Sequence, residues 1–250
     1  MTETLFHASG LTKRYGGAAA LDGLDLRLEG GRIYALLGAP GSGRTTLLRC
    51  IAGLVRPDSG EIELLGETGE GLYAARRKVG MLIDAPALYR DLSIRNNLKL
   101  QSRILGGLPK GRIGSMMKAL AITPRDTGNR TVGGCPNALK LKCAIAMAML
   151  NFPSLVMLDE VFGGLDTDDS ALFRDLAEKE MADRPMSLLI TGQFFGELYP
   201  FATDYLLLEK GKIVKTYTRE ELEARIPEDL HRTTELEEAF KTIRKEDLGA

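Results

Sequence analysis

Gly38-Ala39-Pro40-Gly41-Ser42-Gly43-Arg44-Thr45-Thr46 is the stretch on which the fold of this chain turns. An apolar, strand-like run at 32–37 precedes it, and a helix-like run at 46–52 follows. Strand, glycine-rich loop and helix are the setting of a phosphate-binding loop. The spacing fits G-x-x-x-x-G-K-[ST] with one change, Arg44 in place of lysine. Glycines at 38, 41 and 43 let the backbone turn and bring its N–H groups close to an anion. Those groups and the following helix N-terminus form an anion nest. Thr45 is expected to place its hydroxyl on a magnesium ion. Lysine is a compact point charge, whereas arginine is planar and forked, so the exchange is not conservative at a tight site. Nucleotide binding is expected to survive it, whereas fast phosphoryl transfer, which depends on positioning and charge, is expected to suffer.

Composition bounds the remaining classes. The chain has 250 residues, 44% of them hydrophobic, and a net charge of −1. That supports a substantial core and argues against nucleic acid as a partner. Cys50, Cys135 and Cys143 have no paired spacing and no ligand-like histidine nearby, so reduced thiols are expected. The first residues, Met1-Thr-Glu-Thr-Leu-Phe-His7, lack a charged-then-apolar signal pattern. Apolar runs such as 143–150 are too short to span a bilayer. A soluble protein, held at a membrane only by a partner, is expected.

Strands are predicted at 5–9, 24–28, 61–65, 79–83, 154–158, 187–191, 205–209 and 212–216, the last two forming a hairpin about Lys210-Gly211. Helices are predicted at 93–105 with Ser93 as N-cap, and at 110–120, 137–150, 168–181, 219–224 and 234–244. Residues 124–135 read as loop. Strands and helices alternate about the phosphate loop, which gives an α/β fold with a mainly parallel sheet. The helix-rich segment of about 87–135 reads as an inserted helical subdomain.

The motifs now combine. LTKRYG at 11–16, the phosphate loop, PDSGEI at 57–62, ALYRDLSIRNNL at 87–98, LVMLDE at 155–160, GGLD at 163–166 and EKGKIV at 209–214 span nearly the whole chain. In this the chain resembles the ATP-binding cassette subunit of ABC transporters, with an ordering similar to bacterial exporter-type subunits of the bacitracin and lantibiotic resistance kind. The resemblance implies a P-loop NTPase fold with an N-terminal antiparallel β subdomain. It implies a cassette domain over 1–220 and a C-terminal helical extension over 221–250. It also implies ATP and Mg²⁺ as cofactors and transmembrane permease subunits as partners. The chain would act as a homodimer or heterodimer of cassettes at the inner face of the cell membrane, with the surface around 84–98 facing the permease.

Residue by residue, Tyr15 matches the aromatic that stacks on adenine, with a packed tyrosine as the alternative. Asp159 matches the carboxylate that holds Mg²⁺, and Glu160 the catalytic glutamate that polarises the attacking water. Asp166 matches the loop that meets a partner cassette, or else is a surface turn. Other positions depart from the family. Asp84 stands where a glutamine is usual; it either coordinates metal or is a turn aspartate. Gln193 stands where a histidine is usual, and an amide carries no proton at neutral pH. The signature position falls at Pro136-Asn137-Ala138. Proline has neither hydroxyl nor N–H, and Ala138 adds a Cβ where the backbone must approach a phosphate. A signature shifted to Val132-Gly-Gly134 is the alternative placement. Slow or absent hydrolysis is therefore expected. A non-hydrolysing nucleotide-binding regulatory or scaffold module, and an unrelated P-loop enzyme, are the competing readings; the latter lacks a guanine-reading N-K-x-D element.

Overall fold

The computed structural model describes residues 3–127 and 130–249. The chain opens with a long antiparallel hairpin, β1 (Thr4–Tyr15) and β2 (Ala18–Glu29), turning at Gly16-Gly17. There follow β3 (Ile33–Leu37), α1 (Arg44–Ala52), β4 (Ser59–Leu64), α2 (Leu72–Arg76) and β5 (Val79–Leu82). Next come α3 (Ile94–Ile104), α4 (Arg112–Ala119), α5 (Pro124–Thr127) and α6 (Asn137–Met149). Then come β6 (Leu155–Leu158), α7 (Thr167–Asp183), β7 (Ser187–Gly192), α8 (Phe195–Leu198), β8 (Asp204–Glu209) and β9 (Lys212–Thr218). The chain closes with α9 (Arg219–Glu223) and α10 (Thr233–Leu248).

The central sheet runs β5-β6-β7-β3-β8-β9, parallel except for the terminal β8–β9 hairpin. β3, β6 and β7 are buried at every residue, as parallel strands covered on both faces must be. Their side chains divide with period two. Ala35, Val156, Leu158 and Ile190 join the layer of α3, α4, α6 and α7. Leu36, Leu155, Met157 and Leu189 join the layer of α1 and the second sheet. That second sheet, β2-β1-β4, is antiparallel and sits beside α1. Among the described residues no strand lies between β5 and β6, and α3 to α6 fill that interval.

Several elements differ from expectation. The two short strands expected at 5–9 and 24–28 are each twelve residues long. Gly10 and Gly23, with φ of 60° and 65°, absorb bulges that carry the pairing on to Tyr15. α1 begins at Arg44 rather than 46, because Gly43 at φ 113° forms its start. The loop expected at 124–135 holds α5 and a 3₁₀ turn at Val132–Gly134; residues 128 and 129 lie outside the described residues. α2 and α8, four or five residues each, fall below the reach of periodicity. α10 runs four residues beyond its expected end, where Arg225 pairs with Glu246 and Asp247, both at 2.8 Å. Ser93 caps α3 as its sequence indicates, accepting from the Asn96 N–H at 3.3 Å.

Candidate functional site

The loop at 38–43 sits at the end of β3, between β2 and the β8–β9 turn. A Cβ at Gly38 would overlap Ser42 and the Leu208 carbonyl, and one at Gly43 would overlap the Ala20 carbonyl. Glycine at these two positions is therefore a steric demand. The Ser42 N–H donates to the Ala39 carbonyl at 3.0 Å, and the Gly211 N–H donates to the Ser42 carbonyl at 3.0 Å. Pro40 and Gly41 are exposed at the tip. No side chain caps the N-terminus of α1, where Thr46 follows Arg44 and Thr45. Its first amides and dipole are thus available to an anion. Two polar atoms of the loop, Ser42 Oγ and Arg44 Nη1, are buried without a protein partner. Buried orphans of this kind call for an explanation, and phosphate oxygens would satisfy both.

β6 and β7 end beside this loop and complete a hydrogen-bonded cluster. The Thr45 hydroxyl donates to Asp159 Oδ2 at 2.9 Å, and the Thr191 hydroxyl donates to Oδ1 at 2.6 Å. The Glu160 N–H donates to Thr191 Oγ1 at 3.0 Å. Glu160 itself has φ 50°, a left-handed conformation unusual for a non-glycine residue. Arg44 Nη2 donates to Glu160 Oε1 at 2.6 Å. Gln193 Nε2 lies 3.3 Å from both Glu160 oxygens. The Arg44 side chain is 5% exposed. Burial pushes its guanidinium below the ordinary arginine range, against the pull of Glu160 and then Asp159.

Five residues singled out from the sequence, Arg44, Thr45, Asp159, Glu160 and Gln193, thus form one network. Thr191 joins it unannounced by any motif. Asp84 stands apart from that network, at φ 63°, with its carboxylate taken by Arg49 Nε (3.1 Å) and Nη2 (2.5 Å). The same contact raises the Arg49 pKa. Tyr15 lies exposed at the end of the hairpin, with the Lys13 ammonium 5.6 Å from its ring centre.

The family-interface positions lie elsewhere. Pro136 is the N-cap residue of α6, with Asn137 and Ala138 as its first helical residues. At Val132-Gly-Gly134 the Val132 N–H donates to the Leu92 carbonyl and the Gly133 N–H to the Arg90 carbonyl, both at 2.8 Å. A shifted signature there would lack two of its amides. Asp166 caps α7, accepting from the Asp169 N–H at 2.8 Å.

The family described as ABC transporter matches residues 21–163. The chain is 32% identical to a daunorubicin resistance ATP-binding protein, DrrA3, of Streptomyces coeruleorubidus, over 90% of this chain and 71% of that protein. It is 28% identical to the bacitracin transport ATP-binding protein BcrA of Bacillus licheniformis, over 89% of this chain and 72% of that protein. In fold it is similar to a dimeric ATP-binding cassette solved in a post-hydrolysis state with ADP and phosphate. The TM-score there is 0.76 at 20% identity, over 86% of this chain and 99% of that one.

Proposed function

Since this chain belongs to the ABC transporter family as one of its ATP-binding domains, we propose that it holds ATP with Mg²⁺ for permease subunits and turns it over slowly or not at all. The residues fit these groups. Ser42 Oγ and Arg44 Nη1 are orphaned donors in a loop of amides, and Thr45 with Asp159 offers magnesium one hydroxyl and one carboxylate. Magnesium favours few protein ligands, with water and phosphate oxygens completing its shell. Bound ATP supplies the anhydride to be cleaved, and Mg²⁺ neutralises its phosphate oxygens.

The single observation behind slow turnover is the bond from Arg44 to Glu160. A carboxylate that accepts from a guanidinium on one oxygen, and from Gln193 on both, must release a partner before it can accept from and orient a water. Gln193 carries no proton away. Each transition-state donor lost from such a site typically costs about two to three orders of magnitude in rate, and losses within one unit do not add. Pro136 presents no N–H to a phosphate, which favours pairing with a different cassette whose signature is whole. We assign the cassette to 1–220 with 221–250 as an extension, at the inner membrane face; among the described residues no helix is long and apolar enough to cross a membrane. Relatives named for bacitracin transport and daunorubicin resistance favour an exporter.

Thermal melts titrated with ATP and Mg²⁺ test this first, since a ligand of the folded state raises its stability by mass action. An upward shift is expected, and no shift refutes nucleotide binding. Phosphate release with and without Glu160→Gln then separates slow turnover, abolished by the change, from none.

A further inference from the structure

The last thirty residues carry no motif, yet α10 is built onto the segment that follows Gln193. Three of its residues, at positions 233, 237 and 240, share one face by helical spacing. Between them they meet Phe195 and Gly196. Glu237 Oε2 accepts from the Phe195 N–H at 2.7 Å and lies 3.4 Å from the Gly196 nitrogen. The Phe240 ring stacks on Phe195 with centres 4.1 Å apart and planes 7° from parallel. Gly196 lies so close to the Thr233 backbone that a Cβ would overlap its carbonyl. α8, the element these contacts begin, has four residues and takes no side-chain cap from its own N-cap residue. A helix of that length has no stability of its own. On the other side of Gln193, Gly192 is the last residue of β7, paired in register with Leu37. Gln193 and Phe194 thus bridge two anchors, one in the sheet and one supplied by the tail.

A merely adhesive tail would need only the apolar contacts of Leu236, Phe240 and Ile243, which are buried. Instead a carboxylate is drawn onto the two amides, beside another carboxylate. Glu197 is held above the ordinary carboxylate range by its burial and by the charge of Glu237. That like charge is unfavourable, and the carboxylate that carries it binds the backbone two residues from Gln193.

We infer that Glu237, backed by Phe240, is a positioning residue for Gln193, so that the C-terminal helix sets how Gln193 and Glu160 meet the terminal phosphate of a bound nucleotide. This rests on the nucleotide reading above. On that reading Gln193 would meet only the terminal phosphate, so its displacement should weaken ATP and spare ADP.

The test uses the full chain and four forms of it: Glu237→Ala, Glu237→Gln, Gln193→Ala, and Glu237→Ala combined with Gln193→Ala. Amide exchange without nucleotide and calorimetric titration with ATP and ADP in Mg²⁺ are both read. In Glu237→Ala, exchange at Phe195 and Gly196 should quicken about tenfold or more, as loss of a charged hydrogen bond implies, with the β1–β2 hairpin unchanged. Its preference for ATP over ADP should fall about tenfold, ADP affinity staying within about twofold. Glu237→Gln keeps an acceptor but loses the charge, and should soften both changes to about threefold. In the Gln193→Ala background, Glu237→Ala should remove no further preference. Unchanged exchange, equal weakening of ATP and ADP, or losses that add would each overturn the inference. A wild-type chain that binds neither nucleotide overturns the proposed function and this inference with it; binding with an unaltered preference in Glu237→Ala overturns this inference alone. Should Glu237→Ala fold poorly, Glu237→Gln decides, at about a threefold change in the same two readings.

Discussion

Replacing Glu180 by alanine is expected to destabilise this protein more than the loss of any surface ion pair. Glu180 on α7 joins Arg112 of α4 through Oε1 at 2.5 Å and Oε2 at 2.9 Å, and Arg184 through Oε2 at 2.5 Å. The Arg112 and Glu180 side chains are each 9% exposed and that of Arg184 17%. The Phe152 ring lies beside both guanidinium centres, at 4.3 Å and 5.0 Å. Removing the carboxylate leaves two cations facing each other across one ring. Stripping one partner from a buried pair costs about 3–5 kcal/mol. Arg112 keeps its bonds to the Met149 and Leu150 carbonyls, at 2.8 Å and 3.2 Å, so the lower end, about 3 kcal/mol, applies. For a chain of this length that lowers the melting temperature by about 6–12 °C. Glu180→Gln keeps the acceptor and loses the charge, and should fall between. The control is Glu223→Ala, which breaks the Arg219–Glu223 pair at 2.9 Å, whose side chains are 35% and 55% exposed; its cost should stay under about 1 kcal/mol. Reversible urea unfolding gives the free energies directly. If Glu180→Ala costs no more than Glu223→Ala, burial is not what makes this cluster matter.

Arg44→Lys should release Glu160 from its guanidinium and raise phosphate release at saturating ATP by about tenfold or more; an unchanged or lower rate would discredit the Arg44–Glu160 restraint. Burial pushes the Cys143 thiol up to about 12 and raises that of Cys50, so both should resist alkylation at neutral pH until the chain unfolds. Peptide mapping of labelled native protein would expose any exception. Glu197, whose carboxyl is raised by burial first and Glu237 second, binds more protons folded than unfolded just above the ordinary glutamate pKa. Its contribution is therefore largest in acid and declines as pH rises through that range toward the raised folded value. The stability difference between wild type and Glu197→Gln, measured across that range, should follow this course, and Glu237→Gln should flatten it.

The strands of the central sheet were legible because burial on both faces demands continuous apolar runs, as in Leu155–Leu158 and at 188–190. The phosphate loop was legible because two of its glycines answer steric demands that no other residue meets. Ser93 declared the start of α3 through its own side chain. These are local relations, carried by residues a few positions apart, and the chain alone determines them.

What the tertiary structure decided are contacts between distant positions. Arg44 meets Glu160 across 116 positions, and Thr191 meets Asp159 across 32. No spacing rule announces such pairs, because strand order brings them together, and β3 lies beside β7 rather than its neighbours in the chain. Asp84 could coordinate or turn on sequence grounds; only the approach of Arg49 from α1 determined which groups its carboxylate engages. The first amide of α8 finds its acceptor in Glu237, 42 positions away. A peptide of four residues cannot hold a helix in water, so that element exists only when the whole chain has folded around it.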